Sequence, residues 1–337
     1  MTNDYSFYNR IGRVEITDGT SVLYTSSGGK QVNIHRIGVN KKMMRAFSDL
    51  DFKFSCRNVC DMTTVISTAR VSILGLSRET IRFLTTVRPI GIERQEGIRV
   101  RVYASYENYG DNLIFDGDII RAIPSVPPEN WINIEAFVGA HRKDELVSIQ
   151  IPGYIKRVDL LNAIAKAMKK ELVLVKPRGK TISEEYQKRL MQELNGKVYG
   201  FGCNGTRRDL IIALNKFSRC RVYEDATHLY AAMPDVQRSI YGGLNGANVN
   251  EYVSISEDSG MIGIPEIITG IPPAGNTAQT LKVKTFINPN IRLWDNVYVK
   301  SIYMPSINGL YSVREMEHNG HFRGQDWYQT MVLVGGV

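Results

Sequence analysis

The sequence has few cysteines and no long apolar run, and each absence excludes a class of protein. Four cysteines in 337 residues (Cys56, Cys60, Cys203 and Cys220) are too few for a disulfide scaffold, and their spacing lacks the paired CxxC of a structural zinc site. We therefore expect free, buried thiols. No run of about 18 apolar residues occurs, and residues 1–13 lack the apolar core of a signal peptide. These features predict no membrane insertion and a chain that starts in the cytosol.

A strong charge of one sign is also missing. The chain has 42 lysines and arginines against 34 aspartates and glutamates, and the excess of eight is spread along the chain rather than gathered in a tail. Such an excess favours some contact with a polyanion but decides no function. The 43% of hydrophobic residues is enough for ordinary cores in two or three domains.

Residues 1–145 predict antiparallel strands with one short helix. Apolar and polar side chains alternate over 50–55 and again over 98–105, which is the two-residue period of a half-buried strand. Between them, a strand ends at Gly75 and a short helix follows that Ser77 can cap. We predict a first domain that is a β-sandwich or β-barrel.

Residues 146–240 change to a helical period and predict an α/β middle domain. Leu160, Ile164 and Met168 recur every four residues, as in an amphipathic helix, and 182–194 predicts a second helix. The third helix begins with Thr206 and Asp209 in capping-box spacing and is expected to bury Leu210, Leu214 and Phe217. Two short strands around 225–228 then predict a hairpin.

A complete G-x-G-x-x-G, formed by Gly200, Gly202 and Gly205, precedes the third helix. Glu224 and Asp225 follow about 20 residues later, which is the spacing of a dinucleotide site. A nucleotide-binding enzyme is therefore one hypothesis. It is disfavoured because the acidic pair leads into a neighbouring antiparallel strand, whereas a dinucleotide fold needs a parallel strand and a crossover helix. We interpret the glycines as a flexible turn that leads into a capped helix.

Residues 241–337 return to alternating strands, and the last strand closes the chain. Asn308 and Gly309 form a tight-turn signal between two of these strands. The fold class predicted is therefore mainly β, with two antiparallel β domains (1–145 and 241–337) on either side of the α/β middle domain (146–240). The two β domains can be two copies of one architecture, although no sequence repeat links them.

Four motifs follow one another in the last region in the order found in phage tail baseplate hub proteins. They are a G-L-I-G-x-P turn, a strand followed by L-N-P-x-L, a G-x-Y-x-V strand and a tail of the form H-x-G-D-x-x-G-x-x-W. The sequence resembles that family at Gly260, Gly263, Pro265, Asn288, Pro289, Gly309, Tyr311, His318, Gly324 and Trp327.

The resemblance extends to the middle region and, more weakly, to the first. Hub proteins carry a T-x-x-D-x-L-x-x-L helix before a hairpin, which matches Thr206, Asp209 and Leu214. Similarity over 49–84 is weaker. The sequence departs from the family at His321, where an acidic residue is common, and at two isoleucines that replace leucines. These departures leave the predicted fold unchanged.

The resemblance implies a structural role in a virion. Hub proteins of this type are homotrimers in which each chain contributes two tail-tube-like β domains. The implied partners are the tail tube or tube-end protein, the central spike, other baseplate proteins, the tape-measure protein and DNA passing through the lumen. The resemblance implies the tail baseplate as location, with no catalysis, cofactor or metal site. Basic residues can line the inner wall of the ring.

Two further chemistries remain as alternatives at this point. A cell-wall hydrolase of the tail would need paired carboxylates around a sugar cleft, but Glu184 and Glu185, and likewise Asp116 and Asp118, are expected to be solvated. His318 and His321, beside Glu315 and Glu317, have ligand types suited to zinc or iron. On a strand they would face opposite sides, and Asn319 to His321 predicts a hairpin turn instead. Six aromatic residues of the last domain are expected in the core or at subunit contacts: Trp294, Tyr298, Tyr303, Tyr311, Trp327 and Tyr328.

Overall fold

The computed structural model describes residues 9–17, 22–27, 33–34, 44–45, 50–60, 65–86, 98–110, 112–126, 128–138, 146–174, 180–224, 228–232, 252–268, 279–293 and 295–335. The fold is mainly β with an α/β middle region, as predicted. The predicted boundaries near 145 and 240 fall at or beside residues outside these ranges, so the division into domains stays a prediction.

The first region consists of strands and one helix. Alternation produces the strands: Val100, Val102 and Ala104 are buried, while Arg99, Arg101 and Tyr103 are half-buried. The helix begins after Ser77, whose hydroxyl accepts the amide of Thr80 at 3.2 Å, so the predicted cap is confirmed. The elements are β1 (Arg10–Thr17), β2 (Val22–Ser27), β3 (Asn33–Ile34), β4 (Met44–Arg45), β5 (Phe52–Cys60), β6 (Val65–Leu74), α1 (Arg78–Thr86), β7 (Arg99–Tyr106), β8 (Leu113–Pro124) and β9 (Trp131–Phe137).

The middle region places helices between a two-stranded ribbon and a small sheet. All three predicted helices and the predicted hairpin are present, and Leu160, Ile164 and Leu214 are fully buried. Phe217 is 39% exposed, so the expectation that it is buried was wrong. The elements are β10 (Leu146–Lys156), α2 (Arg157–Ala167), β11 (Glu171–Leu174), α3 (Lys180–Asn195), β12 (Lys197–Thr206), α4 (Arg207–Ser218), β13 (Arg221–Glu224) and β14 (His228–Ala232).

The last region is again built from strands, and it ends in a long hairpin. Within the described residues β15 and β18 pair in parallel, whereas the other pairs of this region are antiparallel. The elements are β15 (Val253–Ser256), β16 (Glu266–Ile267), β17 (Gln279–Phe286), β18 (Asn296–Lys300), β19 (Gly309–His321) and β20 (Trp327–Gly335).

Strands of the first and last regions belong to one sheet. In the described part of the chain its order is β16-β17-β20-β19-β5-β6-β9-β8-β7-β1-β2, with β18 and β15 attached beside β19. The first half of β19 pairs with β18, from Ser312 to Gly309, and its second half pairs with β5, from Glu315 to His321. The hairpin of β19 and β20 therefore joins the two strand-built regions.

The described residues form three apolar clusters, one for each region. One lies in the first region, one in the middle and one in the last. Three residues of the last region join the cluster of the first region: Ile287 and Trp327 are buried in it, and the half-buried Phe322 packs against it. The end of the last hairpin thus completes the core of the first region.

Candidate functional site

The candidate functional site is the contact between β5 and the β19–β20 hairpin, which we call the seam. Seven residues of each strand pair here across about 260 positions of sequence, for example His318 opposite Cys56 and Gly320 opposite Phe54. Since this pairing is what joins the first and last regions, it fixes how one strand-built region sits on the other.

Trp327 is the centre of an aromatic cluster at the seam. Its side chain is 2% exposed. The Phe54 ring meets it edge-on with 5.4 Å between ring centroids, and the Phe322 ring lies 6.3 Å away. Phe52 stacks on Phe322 at 5.0 Å. The family-motif tryptophan therefore ties the hairpin end into the core of the first region.

Two glycines allow these rings to lie against the strands. A Cβ on Gly12 in β1 would come within 2.7 Å of both Phe52 and Trp327. A Cβ on Gly320 in β19 would collide with the ring of Phe54 and come within 2.9 Å of Trp327. Neither glycine was singled out from the sequence. The available signal was a glycine inside an alternating strand, which often marks close approach of a side chain.

Gly320→Ala is expected to lower the free energy of unfolding by about 1–3 kcal/mol, since the added methyl group must displace a buried ring. Gly202→Ala is the matched control, because its Cβ would meet nothing within 4 Å. We expect the control to change stability by less than about 0.5 kcal/mol. Chemical denaturation of both variants measures the difference, and equal stabilities would contradict the assigned contact.

Polar contacts close the seam at the turn of the hairpin. His321 Nε2 lies 2.8 Å from an Asp51 carboxylate oxygen, and the other oxygen accepts the Arg323 amide at 3.2 Å. Arg10 donates to the carbonyl oxygen of Gly324 at 2.7 Å. These bonds hold residues 322–326 as the turn. The prediction of a turn at Asn319 to His321 was wrong, because those residues continue β19 and pair with β5.

His318 is a buried, neutral imidazole at the seam. The side chain is 4% exposed, and burial lowers its pKa to about 4, against a smaller opposing effect of a hydrogen bond with Gln329. Its Nδ1 atom is buried and has no hydrogen-bond partner among the described residues. Gln329 is fully buried and accepts the amide of Asn288, another motif residue, at 3.3 Å. Protonation of His318 would place an uncompensated charge in this core.

Stability is expected to fall between pH 6.5 and 4 because of His318. The unfolded imidazole takes up a proton near pH 6.5 and the folded one only near pH 4, so the unfolded state is favoured as the pH drops through this window. At 1.36 kcal/mol per unit, the loss reaches about 3 kcal/mol at pH 4. Unfolding of wild type and His318→Gln at several pH values measures it. Parallel stability curves for the two proteins would contradict the assignment.

The other motif residues of the last region shape its turns. Gly260 and Gly263 have φ values of 98° and 75°, in the left-handed region that glycine tolerates, and Pro265 follows them. The side chain of Asn288 accepts the amide of Asn290 at 2.9 Å, which forms the turn that contains Pro289. In the described structure these motif residues therefore shape the turns in which they lie.

Gly309 and Tyr311 begin β19 and are both buried. The hydroxyl of Tyr311 donates to the carbonyl oxygen of Ile307 at 2.7 Å. This bond fixes the start of the strand that continues into the seam.

The capping box predicted for the third helix is confirmed. The side chain of Thr206 accepts the amide of Asp209 at 3.3 Å, and the Asp209 carboxylate accepts the Thr206 amide at 2.9 Å. Hydrogen bonds from Thr206 lower the pKa of Asp209, as expected for a carboxylate at a helix start. Leu214 is fully buried on the same helix.

The glycine-rich stretch is a strand, so its interpretation as a flexible turn was wrong. Residues Lys197–Thr206 pair with β10, and Gly202 lies opposite Gln150. Gly202 and Gly205 are thus paired with β10, while Gly200, with a φ of 60°, falls where the pairing register shifts. Glu224, the candidate ribose ligand, accepts Arg207 at 2.8 Å and Lys170 at 2.7 Å. Glu224 is therefore occupied by these two cations, which disfavours the nucleotide hypothesis, while Asp225 lies outside the described residues.

Asp116 and Asp118 are not solvated, contrary to expectation. Asp116 lies 2.7 Å from Arg99 and 3.1 Å from Arg101, with its side chain 13% exposed, and Asp118 is 9% exposed. Asp116 therefore acts as an ion-pair partner of two arginines of the neighbouring strand. Glu184 and Glu185 lie in α3, and their side chains are outside the described part of the structure.

The described residues contain no group of three or more His, Cys, Asp or Glu that could hold a metal ion. Cys56 and Cys220 are free and buried, and Cys203 is free and half-buried, while the side chain of Cys60 lies outside the description. Burial raises the pKa of Cys220 to about 12 and that of Cys56 further, so both are inert thiols. Trp294 also lies outside the described residues. No described helix has the length and apolar character needed to span a bilayer.

The strand-built regions, their shared sheet and the α/β middle region form an architecture that other solved structures share. Similar architecture occurs in the tail protein of Neisseria meningitidis MC58, with 8% identity, a TM-score of 0.54 and 97% of each chain covered. The 43 kDa tail protein of prophage MuSo2 from Shewanella oneidensis matches with 9% identity, a TM-score of 0.51 and coverage of 96% of this chain and 98% of that one.

A third similar structure comes from a secretion system. The Francisella PdpA–VgrG complex matches with 7% identity and a TM-score of 0.52, and the match covers 97% of this chain and 58% of that chain. At these identities the likeness shows the fold alone. A comparison with curated protein sequences gives no match.

The family is shown by the sequence itself. The model of the family described as baseplate hub gp41 matches residues 36–332, which is most of the chain. The chain therefore belongs to the baseplate hub gp41 family, and it is a structural component of a phage tail. The resemblance identified from the four motifs is confirmed.

Proposed function

We propose that three copies of the chain close into a ring that adapts the hexameric tail tube to the trimeric central spike. The observation that carries this proposal is the hairpin of β19 and β20, which joins two strand-built regions into one sheet. Each chain then presents two β domains, 1–145 and 241–337, and three chains present six to the tube. The middle domain, 146–240, faces outward toward other baseplate proteins.

The ends of the described sheet support association between copies. β2 and β16 are the terminal strands of the strand order, and an unpaired edge strand is a site for pairing with another chain. Ile264, just before β16, is 57% exposed, and Ile267, in β16, is 43% exposed. Continuing the sheet from one copy to the next would cover these groups.

The proposed ring would place the chain in contact with several other tail components. We propose contacts with the tail tube or tube-end protein above and with the central spike below, while the tape-measure protein and DNA pass through the lumen. The mechanism is geometric, so no catalytic activity is part of it. Purified protein is expected to give no clearing in a peptidoglycan zymogram or dye-release assay, and clearing would instead favour a cell-wall hydrolase of the tail.

Native mass spectrometry of the chain co-produced with its spike tests the ring. The expected result is a species with three copies of this chain, because the spike supplies a threefold partner even if the free chain is monomeric. A complex with one or two copies, or a mature particle whose hub lacks a central channel, would overturn the proposal.

A further inference from the structure

The expectation that the excess of positive charge is spread along the chain was wrong, because all of it falls in the middle region. Residues 146–240 contain 17 lysines and arginines against nine aspartates and glutamates, an excess of eight. The rest of the chain contains 25 of each sign. The two strand-built regions are thus balanced overall, and only the middle region has an electrostatic reason to attract an anionic partner.

The ribbon of β10 and β12 presents a continuous outer surface in this region. Within the described residues these two strands pair only with each other. One face of the ribbon packs on the core of the middle region, and the other points to solvent. We call the second face the ribbon face; it consists of Leu146, Ser148, Gln150, Tyr154, Lys156, Lys197, Tyr199, Gly202 and Asn204.

Two tyrosines stand at the centre of the ribbon face. Tyr154 and Tyr199 lie directly opposite each other and are 77% and 72% exposed. Their ring centroids are 4.9 Å apart with a 65° angle between planes. A rigid, solvent-facing tyrosine pair has little conformational entropy to lose on binding, which is why such residues are frequent anchors of interfaces.

Two lysines lie beside the tyrosines. Lys156 and Lys197 are also directly opposite each other, and both are exposed. Like charges in this position destabilise a strand pair. Neither β10 nor β12 contains an aspartate or glutamate, and the structure describes no ion pair for either lysine. The repulsion would be relieved by carboxylates from outside the chain.

We propose that the ribbon face binds an acidic segment of another tail protein, with Tyr154 and Tyr199 as anchors and Lys156 and Lys197 as its charge partners. A single pair of lysines favours a short acidic segment over nucleic acid, which needs basic residues along the length of its phosphate backbone. A different protein is favoured over a second copy, because the remainder of this chain has no acidic excess. The proposal does not depend on the trimeric ring.

Carbodiimide cross-linking of assembled tails tests this contact directly, because the reagent joins an amine only to a carboxylate in contact with it. We expect peptides that join Lys156 or Lys197 to an aspartate or glutamate of another tail protein. Lys166 and Lys188, which are exposed on α2 and α3, serve as internal controls. Cross-links to a second copy of this chain, or lysines that are acetylated as readily in tails as in the free chain, would overturn the proposal. Protection without a carboxylate cross-link, as nucleic acid would give, would overturn it too.

Charge reversal supplies an independent measurement. The double variant Lys156→Glu and Lys197→Glu is expected to enter tails at least about tenfold less than wild type, because like charges would then face each other. Lys166→Glu with Lys188→Glu makes the same change in net charge and is expected to assemble normally. Circular dichroism confirms folding of both variants. Equal incorporation of the two double variants would contradict the proposed contact. A number of copies per tail other than three would contradict the proposed ring and leave the ribbon-face contact in place.

Discussion

Replacing Trp327 with alanine is expected to lower the free energy of unfolding by about 3–5 kcal/mol, the usual cost of deleting a buried aromatic side chain. The side chain is 2% exposed and lies against the rings of Phe54 and Phe322. Its indole nitrogen is buried without a hydrogen-bond partner among the described residues, so the loss comes from packing. Denaturation monitored by circular dichroism measures it.

Trp131→Ala is the matched control for this prediction. Trp131 is half-buried in β9, where Lys53 lies 4.6 Å from its ring centroid. We expect its loss to cost about 1 kcal/mol, in the range of an exposed cation–π contact with some packing. If the two variants lost equal stability, Trp327 would not have the central place at the seam that the structure gives it.

The effect of Trp327 is also expected to extend beyond its own region. The residue follows the last hairpin turn but packs in the core of the first region, so its removal weakens the contact between them. Limited proteolysis should therefore release a fragment of the first region sooner in Trp327→Ala than in wild type. Unchanged cleavage kinetics would indicate that strand pairing alone holds the two regions together.

Local patterns were enough to predict most elements of this fold. The alternation in β5 and β7, the four-residue period of α2 and the capping box at Thr206 each depend on neighbours a few residues away. Such signals depend only on nearby residues, so they can be recognised without knowledge of tertiary contacts. The mainly β class and the helical middle region followed from them.

The seam could not be predicted in the same way, since its contacts join distant residues. Asn319, Gly320 and His321 contain a strong turn signal, but pairing with β5 and packing against Phe54 keep them in a strand. The glycines of β12 were misread for the same reason, because β10 supplies a partner strand about 50 residues upstream. Tertiary context overrides weak local preference for strands.

The buried ion cluster around Glu224 could not be predicted from the sequence either. Its carboxylate accepts hydrogen bonds from Arg207 at the start of α4 and from Lys170, which lies three residues after the end of α2. Both basic side chains are only 4% exposed. Helical period predicts that lysines point to solvent, so a buried Lys170 appears only when the hairpin strand brings Glu224 to it.

Glu224→Gln is expected to lower the free energy of unfolding by about 3–5 kcal/mol, because it leaves two buried cations beside each other without a counter-charge. Glu171→Gln is the control within the same region. The Glu171 side chain is 80% exposed and lies 3.9 Å from His228, and such a pair contributes less than about 1 kcal/mol. Thermal and chemical unfolding of both variants give the comparison.

The same variant separates a structural role for Glu224 from the ligand role suggested by the glycine motif. A ribose ligand would be dispensable for folding, so the variant would keep its stability and lose binding of NAD in calorimetric titration. An ion-pair partner would be needed for stability, with no NAD binding in either protein. We expect the second outcome, because the carboxylate is held between Arg207 and Lys170, and Gly202 and Gly205 are paired with β10 in the ribbon.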